Sequence, residues 1–345
     1  MRGALIGCGF FAQNHLNAWR EMRADGVELA AVCDVDGAKA RAAANEFSVS
    51  KSYDSAAEML AAEKLDFVDI VTQMHAHEAL VALAAERGVS TIVQKPLAPD
   101  WSSCLRIVER AERAGVRLAV HENFRFQTPM LAVADLIQSG AIGRITWARI
   151  AFRTSFDVYR TQPYFHGEER LAILDVGIHV LDLARALFGE VAHVSCETQT
   201  RNAANRGEDT ATMLLRHVSD AVSVVECSYE SLIADDPFPQ TLIAAEGETG
   251  SILLDSDYRL TLAQGPRGAL CTTQSVAAPP ERAWTVEPWR VVQESVLSTQ
   301  RAILGAWREG REPATSGRDN LKTFALVEAA YAAAREGRRI EPARF

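Results

Sequence analysis

Between residues 1 and 120 the chain alternates short apolar runs with longer amphipathic stretches, and no other feature narrows the choice of fold as much. The runs at 4–7, 29–33, 50–53, 67–71, 91–94 and 117–120 read as strands, and the stretches between them repeat their apolar residues at helical spacing. Strands joined by crossover helices pair in parallel, so this region is expected to form a doubly wound parallel sheet. The punctuation agrees. Asp54 and Ser55 precede a helix at 56–62, Arg87 and Gly88 close the helix that starts near Ala76, and Ala114 and Gly115 close one at 100–113.

After His121 the texture changes. A helix at 129–138 is followed by runs rich in Ile, Val, Thr and Ser at 145–154, 191–200, 210–217, 221–231, 241–245 and 251–254, which read as an antiparallel meander with hairpin glycines at Gly247 and Gly250. Residues 265–282 carry prolines and glycines without periodicity and read as a loop, and helices near 288–308 and 319–335 follow. The expected organisation is an α/β domain over 1–121 and an α+β domain with an open, mainly antiparallel sheet over 122–345.

Of the 345 residues, 48% are hydrophobic and 23% charged, enough apolar material for a large core. The formal charge of -9 repels phosphate backbones and anionic lipid, so neither nucleic acid nor membrane is expected as a partner. No apolar run is long enough for a bilayer span, and the opening residues are too short for a signal peptide, which points to the cytoplasm. The six cysteines form no Cys-x-x-Cys pair, which removes zinc-ribbon and thioredoxin-type readings and leaves reduced, small core residues.

Gly7-Cys8-Gly9-Phe10-Phe11-Ala12 lies between the first strand and the first helix, a GxGxxA version of the dinucleotide fingerprint. Gly7 permits the tight turn, Gly9 lets a pyrophosphate approach the backbone, and Ala12 stands at the helix–strand contact. Phosphate then meets a helix N-terminus, beside Phe10 and Phe11. Asp34 ends the second strand, where its carboxylate can accept hydrogen bonds from both adenosine ribose hydroxyls and repel a 2′-phosphate, favouring NAD over NADP. The competing reading makes Asp34 a solvated cap of the next helix, and Lys39 and Arg41 in that helix keep NADP open.

Three further stretches carry a resemblance: Thr72-Gln73-Met74-His75-Ala76-His77, Gln94-Lys95-Pro96, and Asp175-Val176-Gly177-Ile178-His179-Val180-Leu181-Asp182. With the glycine turn, they resemble the glucose–fructose oxidoreductase / inositol dehydrogenase family over essentially the whole chain. The resemblance implies a Rossmann domain followed by an open-sheet α+β domain. That family has Thr-Pro-x-x-x-His and Glu-Lys-Pro, so Gln73 and Gln94 depart from it. The resemblance implies NAD contacts at Thr72, Gln73, His77, Gln94 and Lys95, and catalysis without a metal.

Lys95 ends a parallel strand at its carboxyl edge, where ligands of such sheets bind, and its ammonium can hydrogen-bond a reacting oxygen. An exposed strand-end lysine is the plainer alternative. Asp175, His179 and Asp182 are spaced i, i+4, i+7, which on a regular helix puts all three on one face, expected to line the substrate site. An imidazole titrates near neutral pH, so His179 suits general-base work, with Asp175 orienting it and Asp182 binding a substrate hydroxyl. A purely structural Asp–His pair and a metal-binding face are the competing readings.

Asn123, Thr154 and Arg153 are further candidate sugar ligands, Phe124 and Phe126 read as core, and Arg125 reads equally as an ion-pair partner. Tyr159, Tyr164 and His166 read as a loop able to form a lid. The stretches 121–127 and 175–189 resemble those of bacterial aldose dehydrogenases that oxidise the anomeric carbon to a lactone, with D-apiose a candidate sugar. Oxidation of a ring hydroxyl in inositol or another polyol is the alternative within the family, and a non-catalytic NAD-binding regulator the alternative outside it. Lys95 and His179 together argue for the enzyme. An open sheet face is expected to bring a second subunit, as a homodimer or homotetramer.

Overall fold

The computed structural model describes residues 1–342; positions 343–345, which the sequence division gives to the second domain, lie outside the described residues. The chain separates into two units, one made of residues 1–123, 283–285 and 293–321, the other of 124–282, 286–292 and 322 onward.

The first unit runs β1 (Arg2–Ile6), α1 (Ala12–Glu21), β2 (Glu28–Cys33), α2 (Gly37–Phe47), β3 (Lys51–Tyr53), α3 (Ala56–Ala62), β4 (Phe67–Ile70), α4 (His77–Glu86), β5 (Ser90–Gln94), α5 (Trp101–Arg113) and β6 (Leu118–His121). The sheet order is β3-β2-β1-β4-β5-β6, with every pair parallel. The order reverses beside β1, the place where open α/β sheets bind ligands. Three of this unit's helix starts are capped by side chains, Ser55 among them as the sequence suggests. Asp36 accepts the N–H of Ala38 at 3.0 Å, Ser55 that of Glu58 at 3.3 Å and Asp100 that of Ser103 at 2.9 Å.

In the second unit α6 (Thr128–Gln138) leads into β7 (Ile145–Arg153), and α7 (Ile178–Phe188) precedes β8 (Val191–Gln199), β9 (Thr210–His217), β10 (Val222–Ser228), β11 (Leu242–Gly247), β12 (Gly250–Asp255), β13 (Arg259–Gln264) and β14 (Leu270–Ser275). These strands form one eight-stranded sheet, in the order β14-β13-β12-β11-β7-β10-β9-β8. It departs from a meander at its centre. β7 lies between β11 and β10 and pairs with β10 in parallel, Ile150 opposite Val225, while the other neighbours are antiparallel. β14 falls in the stretch read as a loop. All six of its residues are exposed, so no inward-facing apolar alternation marks it in the sequence.

Two helices follow, α8 (Arg290–Arg308) and α9 (Gly317–Glu336). The division at residue 121 assigns α8 to the second domain, and the structure corrects this: residues 293–321 belong with the first unit. The reason is apolar. Val296, Leu297, Ile303, Leu304 and Trp307 share a buried cluster with Leu5, Leu16, Trp19, Val32 and Phe67.

Candidate active site

At the glycine turn the backbone leaves β1 through Gly7, whose φ of 97° is open to glycine at little cost. A side chain there is also excluded by space, since a Cβ would lie 2.5 Å from the carbonyl oxygen of Val71. Around Gly9 the reverse holds: nothing lies within 4 Å of where a Cβ would be, leaving an open backbone surface. No side chain caps the start of α1; the N–H groups of Gln13 and Asn14 turn back to the carbonyls of Phe10 and Phe11 at 3.4 and 3.1 Å, which leaves those just before them to an anion. Asp34 ties the turn to β2, accepting the N–H of Cys8 at 2.7 Å through Oδ2 and that of Asp36 at 2.9 Å through Oδ1. Since Asp36 caps α2, Asp34 is not that helix's cap, and each of its oxygens keeps a lone pair for a ribose hydroxyl. Burial, reinforced by the Asp34 charge, pushes the Cys8 thiol up to about 12, so the turn carries no thiolate to oppose pyrophosphate. Phe10 is 77% exposed, while Phe11 packs against the core. These residues fit a dinucleotide.

Beside the turn, Thr72 is half-buried and Gln73 exposed, both accessible. His77 is not. It is fully buried and braces two loops, with Nδ1 3.1 Å from the carbonyl oxygen of Leu97 and Nε2 3.1 Å from that of Thr72. Burial lowers its pKa while the two carbonyl oxygens oppose that shift, and the neutral ring, with a single N–H, donates to one carbonyl at a time. The expected NAD contact from His77 is therefore replaced by support of the Thr72 loop. Gln94 is likewise corrected: it is buried, and its amide is engaged by His15 at 3.3 Å and by the Lys95 N–H at 2.6 Å. Lys95 itself is half-buried.

In the second unit Asp175 does not share a regular helix with His179. Residues Ile173–Gly177 form a π-turn that runs without a break into α7 at Ile178, so Asp175 and His179 lie on one continuous but irregular helical stretch. The turn is pinned from outside: Glu208 accepts the N–H of Ile173 at 2.9 Å through its side chain and that of Ala172 at 3.0 Å through its backbone. Asp175 accepts a hydrogen bond from the hydroxyl of Tyr229, whose phenol burial and the Asp175 charge push well above its ordinary range. His179 is 4% exposed and stacks flat on Phe124, the ring centroids 3.9 Å apart.

Three of the remaining expected sugar ligands are buried and hydrogen-bonded within the protein. Asp182 is 1% exposed; it pairs with the Arg125 guanidinium through both oxygens and accepts from Thr323 at 2.8 Å, so both oxygens are engaged within the protein. Thr154 is buried, donating to Asp236 at 2.8 Å and accepting from the N–H of Phe156 at 2.9 Å. Asn123 is buried and donates to Ser295 at 2.7 Å. Arg153 faces Glu226 at 3.5 Å and keeps part of its surface. In the loop, Tyr159 stacks on His166, and Asn205 hydrogen-bonds both. Tyr229 and Glu208 escape sequence reasoning because their targets lie far along the chain; the hydroxyl of Tyr229 at the end of β10 is the one signal available. Among the described residues no group of three or more His, Cys, Asp or Glu is placed to hold a metal ion.

The family model described as an oxidoreductase family with NAD-binding Rossmann fold matches residues 1–122, and the GFO/IDH/MocA C-terminal domain matches 130–253. The chain is 49% identical over 340 residues to a D-apiose dehydrogenase of Paraburkholderia graminis, covering 99% of this chain and 89% of that protein. It is 45% identical over 341 residues to a D-apiose dehydrogenase of Rhizobium rhizogenes, covering 99% and 97%. Among solved structures, an oxidoreductase from Agrobacterium radiobacter in complex with NAD+, L-tartaric acid and magnesium superposes with a TM-score of 0.95 at 43% identity, covering 100% of this chain and 99% of that one.

Proposed function

Because this chain belongs to the GFO/IDH/MocA family of NAD-binding oxidoreductases, we propose that it oxidises an aldose, D-apiose first among them, at the anomeric carbon to a lactone. The observation that carries the reading is the end-to-end likeness to two D-apiose dehydrogenases. Bound NAD supplies the hydride acceptor, C4 of its nicotinamide ring. The glycine turn and the uncapped start of α1 hold the pyrophosphate. Asp34 takes the ribose hydroxyls and disfavours a 2′-phosphate, which makes NAD the preferred cofactor over NADP. Thr72 and Gln73 border the same turn.

The reaction removes a proton from the anomeric hydroxyl and a hydride from its carbon, leaving the lactone carbonyl. In this reading Lys95 donates a hydrogen bond to the reacting oxygen and stabilises its developing negative charge. His179 receives the proton as general base, its ring orientation fixed by Phe124, and Asp175 stabilises the charge His179 gains. Exposed Leu214, Leu253 and Leu270 on the eight-stranded sheet support a homo-oligomer, a dimer or tetramer that light scattering distinguishes from a monomer. No described helix is long and apolar enough to cross a membrane. Six free cysteines support a cytoplasmic location.

The test is NADH absorbance after mixing the protein with NAD and a panel of aldoses and polyols. The expected result is fastest reduction with D-apiose. Reduction confined to inositol or another polyol transfers the activity to a ring hydroxyl, and NAD binding without reduction by any member of the panel overturns the catalytic reading.

A further inference from the structure

We infer that a buried hydrogen-bond chain, Asp69 to His15 to Gln94, positions Lys95 by dictating which end of the Gln94 amide faces it. The inference rests on the assignment of Lys95 to the reaction. All four residues lie in the first unit: Asp69 on β4, His15 on the first turns of α1, Gln94 at the end of β5 and Lys95 directly after it. Asp69 and His15 are fully buried and Gln94 is 7% exposed. Asp69 Oδ2 is 2.7 Å from the indole nitrogen of Trp19 and 2.8 Å from His15 Nδ1. His15 Nε2 is 3.3 Å from Gln94 Nε2, and Gln94 Oε1 is 2.6 Å from the Lys95 backbone nitrogen.

The direction of each hydrogen bond follows from the two ends. A backbone N–H only donates, so the Lys95 N–H requires the amide oxygen, and the amide NH2 turns to His15. That NH2 also only donates, so Nε2 of His15 is bare and accepts. The ring proton then sits on Nδ1 and is accepted by the Asp69 carboxylate, which the Trp19 indole holds in place. With the amide reversed, NH2 meets N–H at Lys95, and two donors face each other in a space with little access to water. One arrangement satisfies every link. Its consequence is mechanical: the backbone from which the Lys95 side chain departs is tied through His15 to α1, the helix whose start forms the seat for pyrophosphate. Gln94 and His15 are thus positioning residues, and the lysine and the cofactor seat share one rigid connection. A carboxylate at position 94 still accepts the Lys95 N–H, but its second oxygen faces the bare Nε2, and the pair must take up a proton, held by the ring or by the carboxyl.

The test reads ring nitrogens and turnover in the full-length protein. With 15N-labelled histidine, His15 identified by its loss in His15→Phe, the wild type is expected to show a protonated Nδ1 and a bare Nε2. A bare Nδ1 or a protonated Nε2 in the wild type overturns the chain. Gln94→Leu is expected to lower kcat about tenfold with KM for NAD changed by less than about twofold, whereas Gln94→Glu stays within about threefold of wild type. In a Lys95→Ala background Gln94→Leu is expected to add no further loss. Wild-type kcat in Gln94→Leu, or an equal loss in the Lys95→Ala background, overturns the positioning role. Undiminished turnover of Lys95→Ala alone removes the Lys95 assignment, while the ring nitrogens still decide whether the chain of hydrogen bonds exists.

Discussion

The two units present their chemical groups by opposite means. In the first, the backbone makes the site: a glycine turn with φ of 97°, an uncapped helix start and a strand end deliver N–H groups, and Asp34 and Lys95 are added at the rim. In the second, side chains make it: Glu208 pins a π-turn, Tyr229 holds Asp175, Phe124 supports His179, and Arg125 and Thr323 bind Asp182. A backbone-built site can lose a rim side chain without losing its shape. In a side-chain-built site, each functional group is also a packing element, so activity and stability are expected to fall together.

The largest expected effect tests this division directly. Lys95→Ala should lower kcat by about 10²–10⁴-fold while the thermal midpoint stays close to wild type; His179→Ala should lose a comparable factor and also melt earlier, because Phe124 loses the ring stacked on it. Steady-state NADH formation with calorimetry separates the two outcomes, and a Lys95→Ala protein as destabilised as His179→Ala breaks the contrast. Next in size, Asp182→Ala leaves the largely buried Arg125 without its carboxylate and should cost about 3 kcal/mol in urea unfolding. An unchanged urea midpoint means the ion pair does not support the second unit.

Asp34→Ala should leave the fold intact and reduce the preference for NAD over NADP by about tenfold, read from kcat/KM with each cofactor. An unchanged ratio removes Asp34 from cofactor selection.

The smallest effect sharpens the comparison, because each unit contains a carboxylate held by basic side chains. Lys51, with Tyr53 and Arg2, lowers Glu63 to about 2, and Arg185, with Lys322, lowers Glu190 to about 2, both from 4.5. A carboxylate lowered by folding stabilises the folded state above 4.5, and that contribution fades as pH falls from 4.5 toward 2. Glu63→Gln and Glu190→Gln should therefore flatten the loss of stability over this range by acid titration, Glu190 the less because its side chain is half exposed. Acid profiles identical to wild type contradict both assignments.

What was legible in the sequence divides along the same line. Gly7, Gly9 and Asp34 can be read because the turn they build is local, and the alternation of strands and helices gives the parallel sheet. The framework roles of His77, Asn123, Thr154 and Asp182 cannot be read, because their partners Leu97, Ser295, Asp236, Arg125 and Thr323 are supplied by distant segments. Spacing alone suggested that Asp175 and His179 share a helix face. The π-turn that carries Asp175 leaves no mark in that spacing, and Glu208, which pins it, is many residues downstream. β14 is silent for another reason: a strand with no buried side chain leaves no apolar imprint.

The return of α8 to the N-terminal core has a consequence for biosynthesis. Trp19 and Phe67 share their cluster with Leu304 and Trp307, so the earliest-made strands leave the ribosome before the residues that complete their packing exist. The whole eight-stranded sheet must be translated in the interval. A fragment ending at residue 123 would carry the nucleotide turn yet expose a strip of bare hydrocarbon, making it a substrate for chaperones rather than a free-standing module.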